Sequence, residues 1–304
     1  MKKDAEWPMR RIQLETVNIC NYLCPLCETH NKDWVPRRAI TLEEAKSIIQ
    51  PAADSLLGAV LYGTRGEPFL NKQLEEIVAY LKKKTRARVS ISTNGSVANR
   101  NRAAGLLDAG LDQIIFAIDG ITQETYEKYR QGGGLDKVIR NLEQFCSLKH
   151  QGGYRTRIVF QFIPMGGNEH EIPDLPAFGY GLGADIVRLK FSTSVSRSTA
   201  FRVENTSYPA SAASKEKFLC PMGLDVLYID PNGYAYPCCY AEGNQNLMIG
   251  NALKEDVNRI WNSPTMRDIK RSFSEQSGFI DFCVTTCRNV NRLRKRKLPR
   301  PDNS

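Results

Sequence analysis

Three cysteines stand close together near the start of the chain, at Cys20, Cys24 and Cys27, with the spacing C-x3-C-x2-C. Thiolates are the usual protein ligands of iron–sulfur clusters, and three of them on one loop can hold three irons of a four-iron cubane. Because no fourth cysteine lies nearby in the sequence, one iron keeps an open coordination position. The spacing therefore predicts a cluster whose open iron binds an outside ligand and takes part in catalysis.

A structural zinc site is the alternative for this loop. Zinc prefers a closed tetrahedral set of four ligands, commonly built from C-x2-C pairs. The loop offers three cysteines, and His30 is the one other zinc-ligand residue type close by. The spacing favours the iron–sulfur cluster.

Length and composition are those expected of a soluble, cytoplasmic enzyme. The chain has 304 residues, of which 41% are hydrophobic, enough for one large domain and a small one. No apolar run is long enough to span a membrane, and the first residues lack the apolar stretch of a secretory signal. In the cytosol, nine clustered cysteines indicate metal binding or catalysis and not disulfides.

Much of the formal charge of +9 is local, in two basic runs at residues 82 to 88 and 292 to 300. Such runs are typical of solvated faces or frayed ends. The second run lacks the interleaved aromatic residues of a nucleic-acid site, so a nucleic-acid partner is not favoured. The charge leaves an anionic small-molecule substrate open.

Strand-like and helix-like segments alternate up to residue 190, which indicates parallel β–α units. The predicted strands cover residues 11–17, 58–62, 88–92, 113–118, 156–163 and 185–190. The predicted helices cover residues 42–50, 97–108, 122–130, 135–149 and 170–180, and another carries the buried stripe Leu74, Ile77, Val78 and Leu81. Thr41 with Glu44 forms a capping box for the first helix, and Asn71 is predicted to cap the Leu74 helix. Six such units predict an α/β fold, a (β/α)6 partial TIM barrel with its active face at the carboxyl ends of the strands.

Polar motifs follow the next strands, at the edge where the cysteine loop follows the first. Gly66-Glu67-Pro68 comes after the second strand, and Ser92-Thr93-Asn94-Gly95 ends the third. Asp119 comes after the fourth, with Arg130 further along. Alone, each motif is ordinary loop chemistry. Their joint order behind the cysteine loop is what makes them specific.

In this order the motifs resemble those of the radical S-adenosylmethionine (SAM) enzymes. The resemblance implies a [4Fe–4S] cluster on Cys20, Cys24 and Cys27, whose open iron is chelated by the methionyl amino and carboxylate groups of SAM. In such enzymes, reductive cleavage of SAM gives a 5'-deoxyadenosyl radical. An electron donor such as flavodoxin or ferredoxin is implied as a partner.

The resemblance also assigns residues to SAM. In relatives the Gly-Glu-Pro element binds the methionyl ammonium, the Ser/Thr-Asn-Gly turn contacts the methionyl or ribose part, and an arginine pairs with the carboxylate. Gln161 on the fifth strand is a further candidate, for the adenine pocket. Ala117 departs from the serine that many relatives have. The expected cofactor-binding residues are Gly66, Glu67, Pro68, Ser92, Asn94, Asp119, Arg130 and Gln161.

Beyond residue 190 the sequence becomes polar and serine-rich up to residue 214, and then the cysteines resume. Residues 228 to 237 read as a β-hairpin with an Asn-Gly turn, which ends at the adjacent Cys238 and Cys239. A helix is predicted at residues 266 to 273, ahead of the last cysteines. Cys146, on the apolar face of a helix, is interpreted as an inert core thiol.

This region resembles the auxiliary-cluster domain of the SPASM subfamily and its shorter Twitch form. Five cysteines suit one auxiliary [4Fe–4S] cluster, which makes two clusters in the chain. The last cysteine pair has C-x3-C spacing, where relatives often have C-x2-C, and a zinc knuckle is the alternative for the four ligands. Cys239 is left over as a candidate catalytic thiol. The implied ligands are Cys220, Cys238, Cys283 and Cys287.

The expected organisation has four parts. These are a radical SAM partial barrel at residues 1–190, a linker or substrate loop at 191–219, a small Twitch/SPASM-like auxiliary-cluster domain at 220–290 and a basic tail at 291–304.

The resemblance predicts an oxidoreductase or epimerase that abstracts a hydrogen atom from a small polar substrate, similar to a sugar or an aminocyclitol. Epimerisation would use Cys239 as hydrogen donor, and two-electron oxidation would use the auxiliary cluster. The alternative is a peptide maturase acting on a ribosomally made precursor. Such maturases often carry a leader-binding domain, for which a cluster loop at residue 20 leaves no room. A binding protein whose motifs have lost activity is a third hypothesis, and the intact Gly66-Glu67-Pro68 speaks against it.

Overall fold

The computed structural model describes residues 8–27, 36–62, 65–191, 201, 225–275 and 295–298. Contacts divide the chain into two units. The first unit comprises Met1–Ile19, Asp33–Val89 and Glu216–Arg288, and the second comprises Cys20–Lys32, Ser90–Lys215 and Asn289–Ser304. Within the described ranges, no helix has the length and apolar character needed to cross a membrane.

The elements form a mixed α/β fold with a parallel-sheet core, as predicted. The strands are β1 (Arg11–Leu14), β2 (Gly58–Val60), β3 (Arg88–Thr93), β4 (Gln113–Ala117), β5 (Arg157–Phe162), β6 (Ile186–Lys190), β7 (Val226–Ile229), β8 (Tyr234–Tyr236), β9 (Gly250–Asn251) and β10 (Lys295–Lys297). The α-helices are α1 (Leu42–Ile49), α2 (Leu74–Lys84), α3 (Arg100–Asp108), α4 (Gln123–Tyr129), α5 (Leu135–Gly152), α6 (Leu175–Gly181), α7 (Val257–Trp261) and α8 (Pro264–Glu275).

The sheet of the first unit has the strand order β2-β1-β7-β8-β9. β1 pairs in parallel with β2 on one side and with β7 on the other, whereas β7, β8 and β9 are antiparallel. Ile12 and Leu14 of β1 and Leu227 of β7 are almost fully buried, so these central strands carry the core of the unit. The late strands therefore continue the sheet that the first two strands begin.

The predicted hairpin is confirmed as β7 and β8. Asp230 Oδ1 accepts hydrogen bonds from the backbone N–H groups of Asn232 and Tyr234, both at 2.9 Å. Gly233 adopts a φ of 84°, in the left-handed region where glycine is tolerated without strain. The Asp230 side chain and the Asn-Gly turn together fix the register of the two strands.

Local signals set the helices of the first unit, with one correction. The capping box of Thr41 and Glu44 is present at the start of α1, and the predicted apolar stripe of α2 is buried. The prediction that Asn71 caps α2 is wrong, because α2 begins at Leu74 after Gln73. The Asn71 amide instead donates to the carbonyls of Thr16 and Ile40, at 2.9 and 3.0 Å, since both acceptors lie buried beside it.

The sheet of the second unit has the order β3-β4-β5-β6-β10. β3, β4, β5 and β6 are parallel neighbours in chain order. β10 is antiparallel to β6, so part of the basic tail forms a strand. Parallel strands joined in this order need a crossover between each pair, and α3, α5 and α6 lie in these crossovers.

Helices α5 and α6 pack against the same face of this sheet. Phe116 of β4 meets Phe145 of α5 edge to face, and Phe160 of β5 meets Phe178 of α6 in the same way, both with ring centroids 6.0 Å apart. Cys146 is buried on α5, and burial raises the pKa of its thiol to about 12. Its predicted place in the core is thereby confirmed.

Candidate active site

The cysteine loop lies in the second unit, and its backbone is fixed at two points. The N–H of Cys27 donates to the carbonyl of Cys24 at 3.0 Å, and the N–H of Leu23 donates to the carbonyl of Gln131 at 3.0 Å. Cys24 is buried, whereas Cys20 and Cys27 are half-buried, and none of the three is in a disulfide. The loop therefore presents three thiols from one short segment that is held by backbone hydrogen bonds.

Two side chains direct N–H groups at the sulfur atoms of this loop. Asn94 Nδ2 lies 3.9 Å from Cys20 Sγ, and Arg130 Nη1 lies 3.8 Å from Cys24 Sγ. Burial raises the pKa of the Cys24 thiol, and the positive charge of Arg130 opposes that rise. Donors aimed at sulfur stabilise thiolates, which are the form that binds iron. The donor set thus fits an anionic iron–sulfur cluster.

Asn94 is held by a closed group of hydrogen bonds with Asn21 and Ser96. Its Oδ1 accepts from the backbone N–H and the hydroxyl of Ser96, at 2.9 and 2.7 Å, while its Nδ2 donates to Asn21 Oδ1 at 3.1 Å. Asn21 Nδ2 in turn donates to Ser96 Oγ at 2.9 Å. Gly95 between them has a φ of 78°, and an added Cβ would approach Val138 and Phe116 within 3 Å. The turn after β3 is therefore built to hold the cysteine loop.

Arg130 is oriented by Asp119, which follows β4. Its Nε and Nη2 both donate to Asp119 Oδ2, at 2.8 and 2.6 Å, and Asp119 Oδ1 accepts from the backbone N–H of Ile163 at 2.8 Å. Burial acts to lower the pKa of Arg130, but the Asp119 carboxylate, together with Cys24, Tyr129 and Tyr126, outweighs burial and raises that pKa well above its usual value. Arg130 is therefore a permanent cation that points at Cys24.

Two other predicted cofactor residues of the second unit lie elsewhere on the sheet. Ser92 is half-buried on β3, next to Ile115 of β4 in the strand register. Gln161 is buried on β5, and its Oε1 accepts from Nε and Nη2 of Arg188, at 3.1 and 2.9 Å. The sequence did not single out Arg188, because its partner is fixed only by the pairing of β5 with β6.

Further contacts that were not expected from the sequence support the loop from α4. Tyr126 donates its hydroxyl to Tyr22 at 3.3 Å, and Glu171 accepts from the N–H groups of Ile121 and Thr122 just before this helix. Of the contacts missed by the sequence analysis, only the bonds between Asn94 and Ser96 had a signal in the sequence. Ser96 follows the Asn-Gly turn, and a serine close to an asparagine favours such turn bonds.

Gly66, Glu67 and Pro68 lie in the first unit. A Cβ on Gly66 would come within 1.6 Å of the carbonyl oxygen of Val17, so only glycine fits there. The N–H of Glu67 donates to the carbonyl of Ile19 at 2.9 Å, and the Glu67 carboxylate accepts from the N–H of Phe69 at 3.2 Å. The motif is thus tied directly to the segment that leads into Cys20.

A buried polar network surrounds this motif in the first unit. Glu15 Oε1 accepts from the backbone N–H groups of Arg65 and Gly66, at 2.8 and 3.0 Å, and its Oε2 accepts from the hydroxyl of Tyr228 at 2.5 Å. The Arg65 guanidinium forms an ion pair with Glu242, and both side chains are at most 3% exposed. The network therefore joins the Gly-Glu-Pro motif to the hairpin region.

The adjacent cysteines of the hairpin also lie in the first unit. Cys238 is buried and packs with Tyr228, Tyr236 and Ala241, while Cys239 is half-buried against the same cluster. Cys239 begins a short 3-10 helix, Cys239–Ala241. The other three predicted auxiliary ligands, Cys220, Cys283 and Cys287, lie outside the described residues. Within the described ranges, no three His, Cys, Asp or Glu side chains converge on a single-metal site.

Two sequence families match the chain. The radical SAM superfamily matches residues 14–175, and an iron–sulfur cluster-binding domain, SPASM, matches residues 220–289. A probable GTP 3',8-cyclase of Methanocaldococcus jannaschii is 27% identical over 191 residues, which are 63% of this chain and 62% of the cyclase. An Fe-coproporphyrin III synthase of Methanosarcina barkeri is 32% identical over 159 residues, 52% of this chain and 37% of the synthase. The chain thus spans less than two thirds of the length of these relatives.

Solved structures share the fold. SuiB of Streptococcus suis, bound to S-adenosylmethionine, superposes with a TM-score of 0.70 at 16% identity, over 87% of this chain and 68% of SuiB. BtrN in complex with AdoMet and 2-DOIA superposes with a TM-score of 0.51 at 17% identity, over 89% of each chain. At these identities the likeness concerns the fold alone.

Proposed function

The chain belongs to the radical SAM superfamily, in its SPASM subfamily, and on that premise we propose that it abstracts a hydrogen atom from a small polar substrate. Its radical SAM domain binds SAM and a [4Fe–4S] cluster, and its SPASM domain binds auxiliary iron–sulfur clusters. Together, SAM and the cluster of the cysteine loop supply a 5'-deoxyadenosyl radical. The substrate class and the outcome of the reaction are the proposed part.

The observation that carries the proposal is the pair of N–H donors on the cysteine sulfurs. Cys20, Cys24 and Cys27 hold the cluster, and Asn94 and Arg130 stabilise its thiolates. The Arg130 cation also binds the methionyl carboxylate of SAM, with Asp119 fixing its direction. The methionyl ammonium is assigned to the Gly66-Glu67-Pro68 segment, and the ribose and adenine parts to Ser92 and Gln161.

The auxiliary cluster is assigned to Cys220, Cys238, Cys283 and Cys287, and this leaves Cys239 for chemistry. In epimerisation the Cys239 S–H bond breaks and a C–H bond forms on the substrate radical. The thiyl radical that remains takes one electron from a reductant such as reduced flavodoxin or ferredoxin, together with a proton from water. In oxidation, the auxiliary cluster held by these cysteines would accept one electron from the substrate radical, which would also release a proton to water. The half-buried position of Cys239 supports the first outcome, because a donor thiol must be reachable.

Two substrate classes have support. The small-molecule class is supported by BtrN, which was solved with 2-DOIA and matches this chain over 89% of both lengths. The peptide class is supported by SuiB, which has the higher TM-score and was also solved bound to its precursor peptide SuiA. We also infer a cytoplasmic enzyme, since a reducing compartment suits nine clustered cysteines that bind iron–sulfur clusters.

The test of the radical reaction uses the full chain, reconstituted with iron and sulfide under argon and reduced with dithionite. Wild-type protein is expected to convert SAM to 5'-deoxyadenosine, and the variant C20A/C24A/C27A is expected to form none. C146A is the matched control, because it removes a thiol that lies in the core and should leave the rate unchanged. Product in the triple variant would overturn the assignment of the loop.

The test of the substrate class compares aminocyclitols and sugars with synthetic peptides as stimulants of 5'-deoxyadenosine formation. The small-molecule proposal fails if peptides alone stimulate it. With a substrate in hand, C239A is assayed in deuterated water. An epimerase variant should still form 5'-deoxyadenosine but lose the inverted, deuterated product. Unchanged product in C239A would remove the thiol from the mechanism and leave oxidation.

A further inference from the structure

Glu171, which lies between β5 and α6, is a buried carboxylate that holds the start of α4. Its side chain belongs to a residue that is only 3% exposed. Oε2 accepts from the backbone N–H of Ile121 at 2.9 Å, and Oε1 accepts from the N–H and the hydroxyl of Thr122, at 3.2 and 3.0 Å. Because a buried carboxylate needs hydrogen bonds in place of water, Glu171 and these three donors hold one another in position.

The contact of Glu171 with Thr122 continues into the helix itself. Thr122 caps α4, since its hydroxyl oxygen accepts from the N–H of Thr125 at 3.3 Å. The segment before the helix also packs closely on it, because a Cβ on Gly120 would come within 2.4 Å of the backbone nitrogen of Tyr126. The first turn of α4 is therefore fixed relative to the Glu171 carboxylate.

The far end of α4 meets the cysteine loop. The points of contact are the pairs Tyr126–Tyr22, Gln131–Leu23 and Arg130–Cys24. The N–H of Arg130 donates to the carbonyl of Tyr126 at 2.8 Å, so Arg130 directly continues the helix. With seven residues, α4 is about 10 Å long. A displacement of the first turn of so short a helix would also displace Arg130.

We propose that Glu171 is a positioning residue for SAM: it fixes α4, and α4 fixes the place from which Arg130 reaches the SAM carboxylate. The proposal rests on the proposed function, in which Arg130 binds that carboxylate. Asp119 fixes the direction of the Arg130 guanidinium, whereas Glu171 fixes the helix that precedes the Arg130 backbone. The two carboxylates therefore act on different parts of the same arginine.

The test measures the equilibrium affinity for SAM of the anaerobically reconstituted full chain, in wild type, E171Q, R130A and E171Q/R130A. Glutamine has the size of glutamate, but its amide nitrogen cannot accept a hydrogen bond, so E171Q loses part of the contact with α4. E171Q is expected to bind SAM about tenfold more weakly. The double variant should bind SAM as weakly as R130A alone, because the position of the helix matters to SAM through Arg130.

E127Q is the matched control, since it removes the same charge from an exposed position on α4 and should bind SAM as wild type does. E171D keeps the carboxylate and should recover much of the affinity that E171Q loses. Iron content and circular dichroism are measured for every variant, and both should match wild type in E171Q.

Four results would overturn the proposal. These are wild-type SAM affinity in E171Q, a loss in E171Q that adds to the loss in R130A, an equal loss in E127Q, or loss of cluster iron in E171Q, which would give Glu171 a role in the fold as a whole. Failure of small polar substrates to stimulate 5'-deoxyadenosine formation would count against the proposed function alone, since SAM binding is measured without substrate.

Discussion

Arg130 donates hydrogen bonds from all three nitrogen atoms of its guanidinium group. Nε and Nη2 donate to the Asp119 carboxylate, and Nη1 donates to the Cys24 sulfur. Because its side chain is already fixed, Arg130 loses little conformational entropy when it binds an anionic ligand. Asp119 is fully buried, and its carboxylate accepts hydrogen bonds from Arg130 and from the backbone N–H of Ile163. We therefore assign Asp119 a positioning role and Arg130 the direct contact with SAM.

Replacing Arg130 by alanine should weaken SAM binding by about 1.5 to 3 kcal/mol, the usual range for a hydrogen bond to a charged group. Equilibrium binding of SAM to the reconstituted protein measures the change. R140A, at an exposed position on α5, is the control and should bind SAM normally. Because R130A also leaves the buried Asp119 without its cation, the double variant D119N/R130A separates folding from binding. Equal SAM affinity in wild type and both variants would remove Arg130 from the site.

Two elements of the first unit, the Gly66 segment and the β7–β8 hairpin region, are joined by buried charges. The Arg65–Glu242 ion pair crosses from one to the other, and Glu15 bonds to both through Gly66 and Tyr228. Buried ion pairs add little net stability when intact, but a single remaining charge is costly. Separation of the hairpin from the Gly66 segment would therefore leave buried charges without their partners and would cost free energy.

The variants R65M and E242M should each lower the free energy of unfolding by about 3 to 5 kcal/mol, because each strands a buried charge. The double variant R65M/E242M should be more stable than either single variant, since neither charge then remains. Urea unfolding of the reconstituted protein under argon provides the measurement. A double variant with the summed loss of both singles would show that the two side chains do not interact.

The hairpin should also make stability depend on pH through Asp230. Burial raises the pKa of this carboxyl from 3.8 to about 6, although hydrogen bonds from Tyr234 and Asn232 oppose the rise. The folded state thus holds a proton that the unfolded state releases, so stability should fall as pH rises from about 4 to about 6 and level off above. This rise in the pKa of Asp230 corresponds to a fall of about 3 kcal/mol in the free energy of unfolding between low and high pH.

Asp230→Asn keeps the Oδ1 acceptor and removes the charge, so it should raise the midpoint of thermal unfolding at pH 8. At pH 5, which lies between the two pKa values, the advantage of the variant should be about half of that at pH 8. Melting curves by circular dichroism at both pH values test this. A midpoint difference that is the same at pH 5 and pH 8 would rule out titration of Asp230 as the cause.

Across the whole molecule, the two groups of cysteines belong to different units. The loop of Cys20, Cys24 and Cys27 lies in the second unit, and Cys238 and Cys239 lie in the first. The region matched by the SPASM family is not a separate appendage, because β7 pairs directly with β1. Removal of that region would expose one edge of β1 in the first unit.

Reconstituted protein should contain two four-iron clusters, about eight irons per chain. The variant C20A/C24A/C27A should keep about half of that iron, because the auxiliary ligands are untouched. Iron and sulfide analysis with electron paramagnetic resonance gives the answer. Zinc as the sole tightly bound metal in anaerobic protein would contradict the cluster assignment for both cysteine groups.

The sequence by itself determined the cysteine loop, the alternation of strands and helices, the capping box of α1 and the Asp230–Gly233 turn. Each of these depends on residues a few positions apart, so spacing and periodicity are enough to predict it. Only the tertiary structure decided the partners of Asn94 and Arg130, the Arg65–Glu242 pair and the pairing of Lys295–Lys297 with β6. These contacts join residues far apart in the chain, and the choice among many possible polar partners is made when the strands register and the core packs. The misplaced cap at Asn71 has the same cause, since the buried carbonyls of Thr16 and Ile40 compete successfully for its amide.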